Sequence, residues 1–136
     1  MMEFFMKKRV LLGLVLLTII GASVVFAQPI NGLWRTAIGN VMSIYDNKAV
    51  FTEIMNRDTQ EAEKRGNVGI GSSAYRNFRN TGNLTWTAQA LLVNTSTYAV
   101  SWGGNYTFTM NPDGKTLQMR STDSNQTGTG TWTRIQ

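Results

Sequence analysis

The stretch 106–121, YTFTMNPDGKTLQMRS, decides the fold class because it has the pattern of an antiparallel β-hairpin. In its first half, apolar residues alternate with threonines, which gives a strand one apolar face and one polar face. The turn 111–114, Asn-Pro-Asp-Gly, follows, with a proline preset for a turn and a glycine free to take a positive φ. Leu117 and Met119 continue the alternation beyond the turn. The stretch therefore predicts two paired strands with one buried face.

The same pattern extends over the chain from Leu33 onward. Short runs rich in Thr, Val, Ile, Tyr, Trp and Phe are separated by clusters of Gly, Asn and Asp, which is typical of consecutive β-hairpins. The predicted strands are residues 33–38, 41–45, 49–55, 66–71, 84–93, 98–102, 106–110, 115–121 and 129–135. We therefore predict an all-β domain, an antiparallel up-and-down barrel of about eight strands.

One segment departs from the β pattern. Residues 56–65, NRDTQEAEKR, are polar, contain helix formers and end at Gly66. Glu61 and Arg65 stand four residues apart in the order that favours a helix. The segment predicts one or two turns of exposed helix, or a loop over one end of the barrel. It is either a lid over a ligand entrance or a solvated connection.

The N-terminal residues have the pattern of an export signal. Three basic residues at 7–9 precede an apolar run over residues 11–26, and the small-residue pattern of a cleavage site ends at Ala27. The apolar run is shorter than the roughly 20 residues of a membrane-spanning helix, which favours cleavage over an uncleaved anchor. We therefore expect a signal peptide over residues 1–27 and a single domain over residues 28–136, exported by a bacterium to the periplasm or secreted to the cell surface and beyond. Membrane contact is expected only through the signal segment, if it stays uncleaved.

Composition argues against several classes of function. The chain has no histidine and no cysteine, so it lacks the commonest general base, the commonest zinc ligands and a thiol nucleophile. We therefore expect no enzyme activity, no metal site and no cofactor. Three of the 13 lysines and arginines lie at residues 7–9, and the others are scattered, so no nucleic-acid interface is expected.

Both ends of the predicted domain carry residues with a family resemblance. Gly32-Leu33-Trp34 opens the first strand, and Thr131-Trp132-Thr133-Arg134-Ile135 forms the last. A first strand with Gly-x-Trp and a last strand with Arg resembles the lipocalin and calycin superfamily of small antiparallel barrels. The resemblance implies that Arg134 lies across Trp34 and closes one end of the barrel. It also implies a binding protein, since these barrels hold ligands or partner proteins.

Two groups of residues are candidates for binding. The first is the apolar faces of three predicted strands, which either line a ligand cavity in the lumen or fill it as core. Its members are Trp86, Tyr106, Phe108, Met110, Leu117 and Met119. The second is the one place where two cations flank an aromatic residue, a possible patch for a partner protein. Its members are Arg76, Phe78 and Arg79.

Two functions are compatible with these features. The first is an exported lipocalin-like protein that binds a small hydrophobic or amphipathic molecule in the barrel. The alternative is a protein-binding module of the cell envelope, or an inhibitor of a secreted protease, that acts through its loops. An open lumen favours the first function, and a filled lumen with exposed aromatic or arginine-rich loops favours the second.

Overall fold

The computed structural model describes residues 29–123 and 128–136, so the predicted signal segment lies outside the described residues. The described chain forms a closed antiparallel barrel in which each strand pairs with its neighbours in the sequence. The strands are β1 (Gly32–Arg35), β2 (Val41–Tyr45), β3 (Lys48–Glu53), β4 (Ser73–Gly82), β5 (Thr85–Val93), β6 (Val100–Met110), β7 (Thr116–Ser121) and β8 (Thr129–Arg134). Helix α1 (Arg57–Lys64) connects β3 to β4. The predicted fold class, an eight-stranded up-and-down barrel, is confirmed.

Closure of the barrel joins the two ends of the described chain. Strands β1 and β8 pair antiparallel, with Trp34 opposite Arg134 and Arg35 opposite Thr133. Because every strand has two neighbours, the barrel has no free edge along which another chain could add a strand.

The up-and-down order gives the barrel two different ends. One end, here called the closed end, carries Pro29 to Asn31, the β2–β3, β4–β5 and β6–β7 turns, and the C-terminus. The opposite end, here called the mouth, carries the β1–β2 loop, the β3–β4 connection with α1, and the β5–β6 loop.

An aromatic cluster fills the lumen toward the closed end. The Phe108 ring is fully buried and lies 5.1 Å from Trp132, 5.2 Å from Phe78 and 5.5 Å from Tyr75, between ring centroids. The pairs with Trp132 and Tyr75 are edge-to-face, a geometry that adds about 0.5–1.5 kcal/mol per pair beyond the area buried. Trp34, Trp86 and Leu117 lie in the same buried cluster.

The fourth strand is not where the sequence predicts it. Residues 66–71 form turns rather than a strand, because Gly66 and Gly71 take positive φ values of 78° and 88°. Strand β4 is instead Ser73–Gly82, and its register against β5 shifts between Arg76 and Arg79. Asn77 has a φ of 60° within this bulge. The bulge interrupts the alternation of apolar and polar residues, which hides the strand in the sequence.

Two further predicted strands are one strand in the structure. The sequence pattern predicts separate strands over 98–102 and 106–110, but β6 runs unbroken from Val100 to Met110. The pair Gly103-Gly104 lies within it, where a Cβ on Gly104 would meet the Tyr106 ring at 2.8 Å. Glycine at 104 therefore makes room for the Tyr106 side chain and is not a break between strands.

Helix α1 confirms the helical interpretation of the polar segment. Asn56 is its N-cap and accepts a hydrogen bond from the Thr59 backbone N–H at 3.0 Å. Arg65 is the C-cap, and Gly66 follows with a positive φ. Ala62 is fully buried, so one face of the helix packs on the rest of the protein. No helix within residues 29–123 and 128–136 is long and apolar enough to cross a membrane.

Candidate functional site

Arg134 and Trp34 lie together at the closed end of the barrel. The guanidinium carbon is 4.3 Å from the centroid of the fully buried Trp34 ring. The indole N–H of Trp34 donates to the Ile30 carbonyl at 2.8 Å. The guanidinium Nε donates to the Gly114 carbonyl at 2.7 Å, and Nη1 donates to the Asn31 carbonyl at 2.8 Å. The pair thus ties the last strand to the first and to the β6–β7 turn.

The backbone conformation and close contacts of position 32 require a glycine two residues before Trp34. Its φ is 139°, a conformation that other residues rarely adopt. A Cβ at this position would also lie 2.6 Å from Nη1 of Arg134 and 2.7 Å from the Gln136 carbonyl oxygen. Gly32 therefore leaves the space that the Arg134 guanidinium occupies over the Trp34 ring.

Tyr75 divides the lumen between this closed end and the mouth. Its ring extends from β4 to contact Tyr106 on β6 at 6.1 Å and Trp132 on β8 at 5.2 Å. Its hydroxyl donates to the sulfur of Met119 on β7 at 3.5 Å. The side chain thus crosses the barrel and separates the packed aromatic cluster from the space above it.

The partial burial of Tyr75 predicts a pH dependence of stability. Burial, together with the neighbouring Tyr106, raises the pKa of Tyr75 above the ordinary value of 10.0. Because the folded state holds the proton more tightly than the unfolded chain, this contribution is complete below about pH 10 and is lost as the pH rises through the folded pKa. Above pH 10, the free energy of unfolding should therefore fall by about 1 kcal/mol more per pH unit in the wild type than in Tyr75→Phe.

Urea unfolding of both proteins at pH 8 and at pH 11 measures this difference. At pH 8 the two proteins should be about equally stable, because a thioether sulfur is only a weak acceptor and its loss costs little. Equal loss of stability in both proteins between the two pH values would show that Tyr75 is not the buried titrating group.

A cavity of about 310 Å³ lies between Tyr75 and the mouth. Its walls are mainly apolar and come from the barrel strands, with Met42, Phe51, Ala90 and Tyr106 among them. Polar residues Asn40, Asp58, Thr59 and Thr95 lie around it, from the β1–β2 loop, helix α1 and the β5–β6 loop. An apolar cavity with a few polar groups, near the lower end of ligand-pocket sizes, is suited to a small amphipathic molecule.

A network of amides holds helix α1 against the mouth. Asn40 is only 1% exposed, and its side-chain oxygen accepts from the backbone N–H groups of Met55 at 2.7 Å and Asn56 at 2.8 Å. Its side-chain N–H donates to the Thr59 hydroxyl at 3.2 Å, and that hydroxyl donates to Asn56 Oδ1 at 3.0 Å. The start of α1 is therefore fixed beside the cavity.

The six residues predicted from the strand faces come together in the lumen, but some belong to the packed core and others do not. Trp86, Phe108, Met110 and Leu117 are each at most 4% exposed and form the packed core. Met119 packs against that core and accepts the Tyr75 hydroxyl. Tyr106 lines the cavity. The lumen is thus packed toward the closed end and contains the cavity toward the mouth, and a ligand-binding role for these residues stays a prediction.

The predicted partner patch on β4 is smaller than the sequence suggested. Phe78 is 5% exposed and packs on Phe108, because the bulge at Asn77 turns it into the lumen. Its inclusion in a surface patch was wrong. Arg76 and Arg79 are exposed. Arg76 stacks over Trp102 at 4.3 Å and donates to Gln89 at 2.7 Å.

A second recess lies outside the barrel beside this pair. It measures about 370 Å³ and is lined mainly by polar side chains of β4 to β6, including Arg79, Thr87, Gln89 and Asn105. Within the described ranges, no group of three or more His, Cys, Asp or Glu side chains lies close enough to hold a metal ion. The mouth cavity is a better candidate site for an apolar ligand than this outer recess, because its walls are mainly apolar and lie inside the barrel.

The sequence predictions do not include the residues at the mouth, Asn40, Asn56 and Asp58. Asn56 has a recognisable signal, since asparagine immediately before a run of helix formers is a favoured N-cap. Asn40 and Asp58 have none, because their roles arise from contacts between distant parts of the chain.

Comparison with known proteins gives no relative: no protein-family model, no curated protein and no solved structure matches the chain.

Proposed function

We propose that the protein is an exported, lipocalin-like barrel that binds a small apolar or amphipathic molecule in the mouth cavity. The observation that carries the proposal is the cavity of about 310 Å³ above Tyr75, inside the barrel and walled by apolar side chains such as Phe51 and Ala90. Burying an apolar ligand there contributes about 25 cal/mol for each Å² of surface removed from water.

The lipocalin-like part of the proposal draws on the closed end. Arg134 of the last strand lies over the Trp34 ring of the first strand, as the resemblance implies, and Gly32 leaves space for its guanidinium. Export is proposed from the basic, apolar and small-residue pattern of residues 7–27, and it assigns the domain to the periplasm or to the outside of a bacterial cell. Neither a metal nor a cofactor nor a catalytic step is part of the proposal.

The alternative is a protein-binding module of the cell envelope or an inhibitor of a secreted protease. It would draw on the exposed cations Arg76 and Arg79 on the outer face of β4. The packed lower lumen is compatible with it. A mouth cavity that binds no apolar probe would favour this alternative.

The test of ligand binding uses octanol as the probe and a variant that fills the cavity. Ala90 is 3% exposed and lines the cavity, so Ala90→Phe places a ring in the space a ligand would occupy. Isothermal titration calorimetry should show octanol binding to the wild type and a loss of affinity of more than about tenfold in the variant. Thr109→Phe, at an exposed position on β6, is the matched control and should bind octanol like the wild type.

A second variant, Ala90→Met, keeps the test possible if Ala90→Phe does not fold. Ala90→Met introduces a flexible side chain that fits an irregular space with less strain than a ring. Circular dichroism establishes that each variant is folded before titration. Undiminished octanol binding in both folded variants would place the probe elsewhere and overturn the proposal.

A further inference from the structure

The charge of the mouth cavity indicates which ligands it can hold. Among the described residues that line it, Asp58 is the one with a formal charge, and neither lysine nor arginine is among them. A ligand carboxylate would thus find no cation in the lining and would face a carboxylate of the protein. A ligand cation would find a partner of opposite charge.

Asp58 is available to such a partner. It lies in the first turn of α1, and its side chain is 27% exposed. One of its oxygens is 3.4 Å from the Arg57 guanidinium, whose side chain is 84% exposed. A contact this long, to a guanidinium mostly in water, is weak and easily exchanged.

The cap of α1 reduces the attraction of the helix N-terminus for anions. Backbone N–H groups at a helix start attract anions when they are free. Here the Thr59 N–H donates to the Asn56 side chain at 3.0 Å, and the Gln60 N–H donates to the Asn56 carbonyl at 2.9 Å. The cap therefore already uses two of the N–H groups of this turn, those of Thr59 and Gln60.

The aromatic residues in the lining are compatible with the same preference. Phe51, Tyr75 and Tyr106 all line the cavity. The faces of aromatic rings carry negative partial charge, which attracts cations and repels carboxylates.

We infer, on the basis of the proposed function, that the cavity selects apolar molecules that carry an ammonium group over carboxylates of the same length. The apolar tail lies toward Tyr75, and the ammonium group donates to the Asp58 carboxylate at the rim. An uncharged alcohol of the same length binds with intermediate affinity, because it gains the apolar contacts without the charge pairing.

Three matched probes test the inference at pH 7 by calorimetric titration of the protein: octylammonium, octanol and octanoate. Octylammonium should bind about threefold tighter than octanol, as expected for a partly exposed ion pair. Octanoate should bind more weakly than octanol. In Asp58→Asn, octylammonium and octanol should bind with equal affinity.

Asp113→Asn is the matched control, because it removes the same charge from the turn at the closed end of the barrel. It should leave the order of the three probes unchanged. Octanoate binding as tightly as octylammonium, or a preference that survives Asp58→Asn, would overturn the inference while octanol binding still supports the proposed function. Failure of all three probes to bind would overturn both.

Discussion

Replacing Phe108 with alanine is expected to lower the free energy of unfolding by about 3–5 kcal/mol. The ring is fully buried and lies within 5.5 Å of three other aromatic rings, which come from β4 and β8. Its removal leaves a cavity at the centre of the packed lower lumen, and the surrounding rings are too large and too constrained to close it. Urea unfolding at neutral pH, followed by circular dichroism, measures the change.

Two comparisons make this result specific to packing. Phe108→Leu keeps most of the volume and should cost clearly less than the alanine variant. Thr109→Ala, at the exposed neighbouring position, should change stability by less than about 0.5 kcal/mol. A loss below about 1 kcal/mol in Phe108→Ala would contradict the packed lower lumen.

Replacing Arg134 should open the closed end, with a loss of about 1–3 kcal/mol in Arg134→Ala. The variant loses the cation–π contact with Trp34 and the bonds to the carbonyls of Gly114, Asn31 and Pro29. The expected loss is small because the guanidinium is partly accessible to water, which screens its interactions and can replace some of its bonds.

Arg134→Lys should recover less than half of this loss. A lysine ammonium keeps the charge but lacks the planar fork that reaches several carbonyls while stacking on the indole. Arg120→Ala, at an exposed position on β7, is the matched control and should change stability by less than about 0.5 kcal/mol. Full stability in Arg134→Lys would mean that charge alone, and not the fork, closes the barrel.

The sequence is most informative where alternation is regular. The hairpin 106–121 forms β6 and β7 with Phe108 opposite Met119 and Met110 opposite Leu117, as the alternation of apolar and polar residues implies. Burial of one face fixes such a register, because a shift by one residue would expose every apolar side chain.

The fourth strand was not predictable in this way. Tyr75 and Phe78 both contact Phe108 in the lumen although they are three residues apart, which matches neither face of a regular strand. The bulge at Asn77 makes this possible, and a bulge in a polar segment has no reliable local signal. Residues 66–71 do not form the predicted bent strand, because Gly66 and Gly71 take positive φ values in the connection after α1.

The candidate site was predictable only in part. Alternation identifies the apolar faces that enter the lumen, but it does not show where the lumen is filled. That division depends on Tyr75, whose ring meets residues of β6 and β8 that are distant in the sequence. The contacts of Asn40 with Met55 and Asn56 likewise join residues that are 15 and 16 positions apart in the sequence.

The most direct test of the central claim locates a bound probe by nuclear magnetic resonance. With octanol added to the protein, intermolecular nuclear Overhauser contacts should join its methylene protons to the rings of Phe51, Tyr75 and Tyr106, and they should disappear in Ala90→Phe. Contacts to Thr87 or Gln89 on the outer face instead, or no contacts at saturating octanol, would contradict a ligand site at the mouth of this barrel.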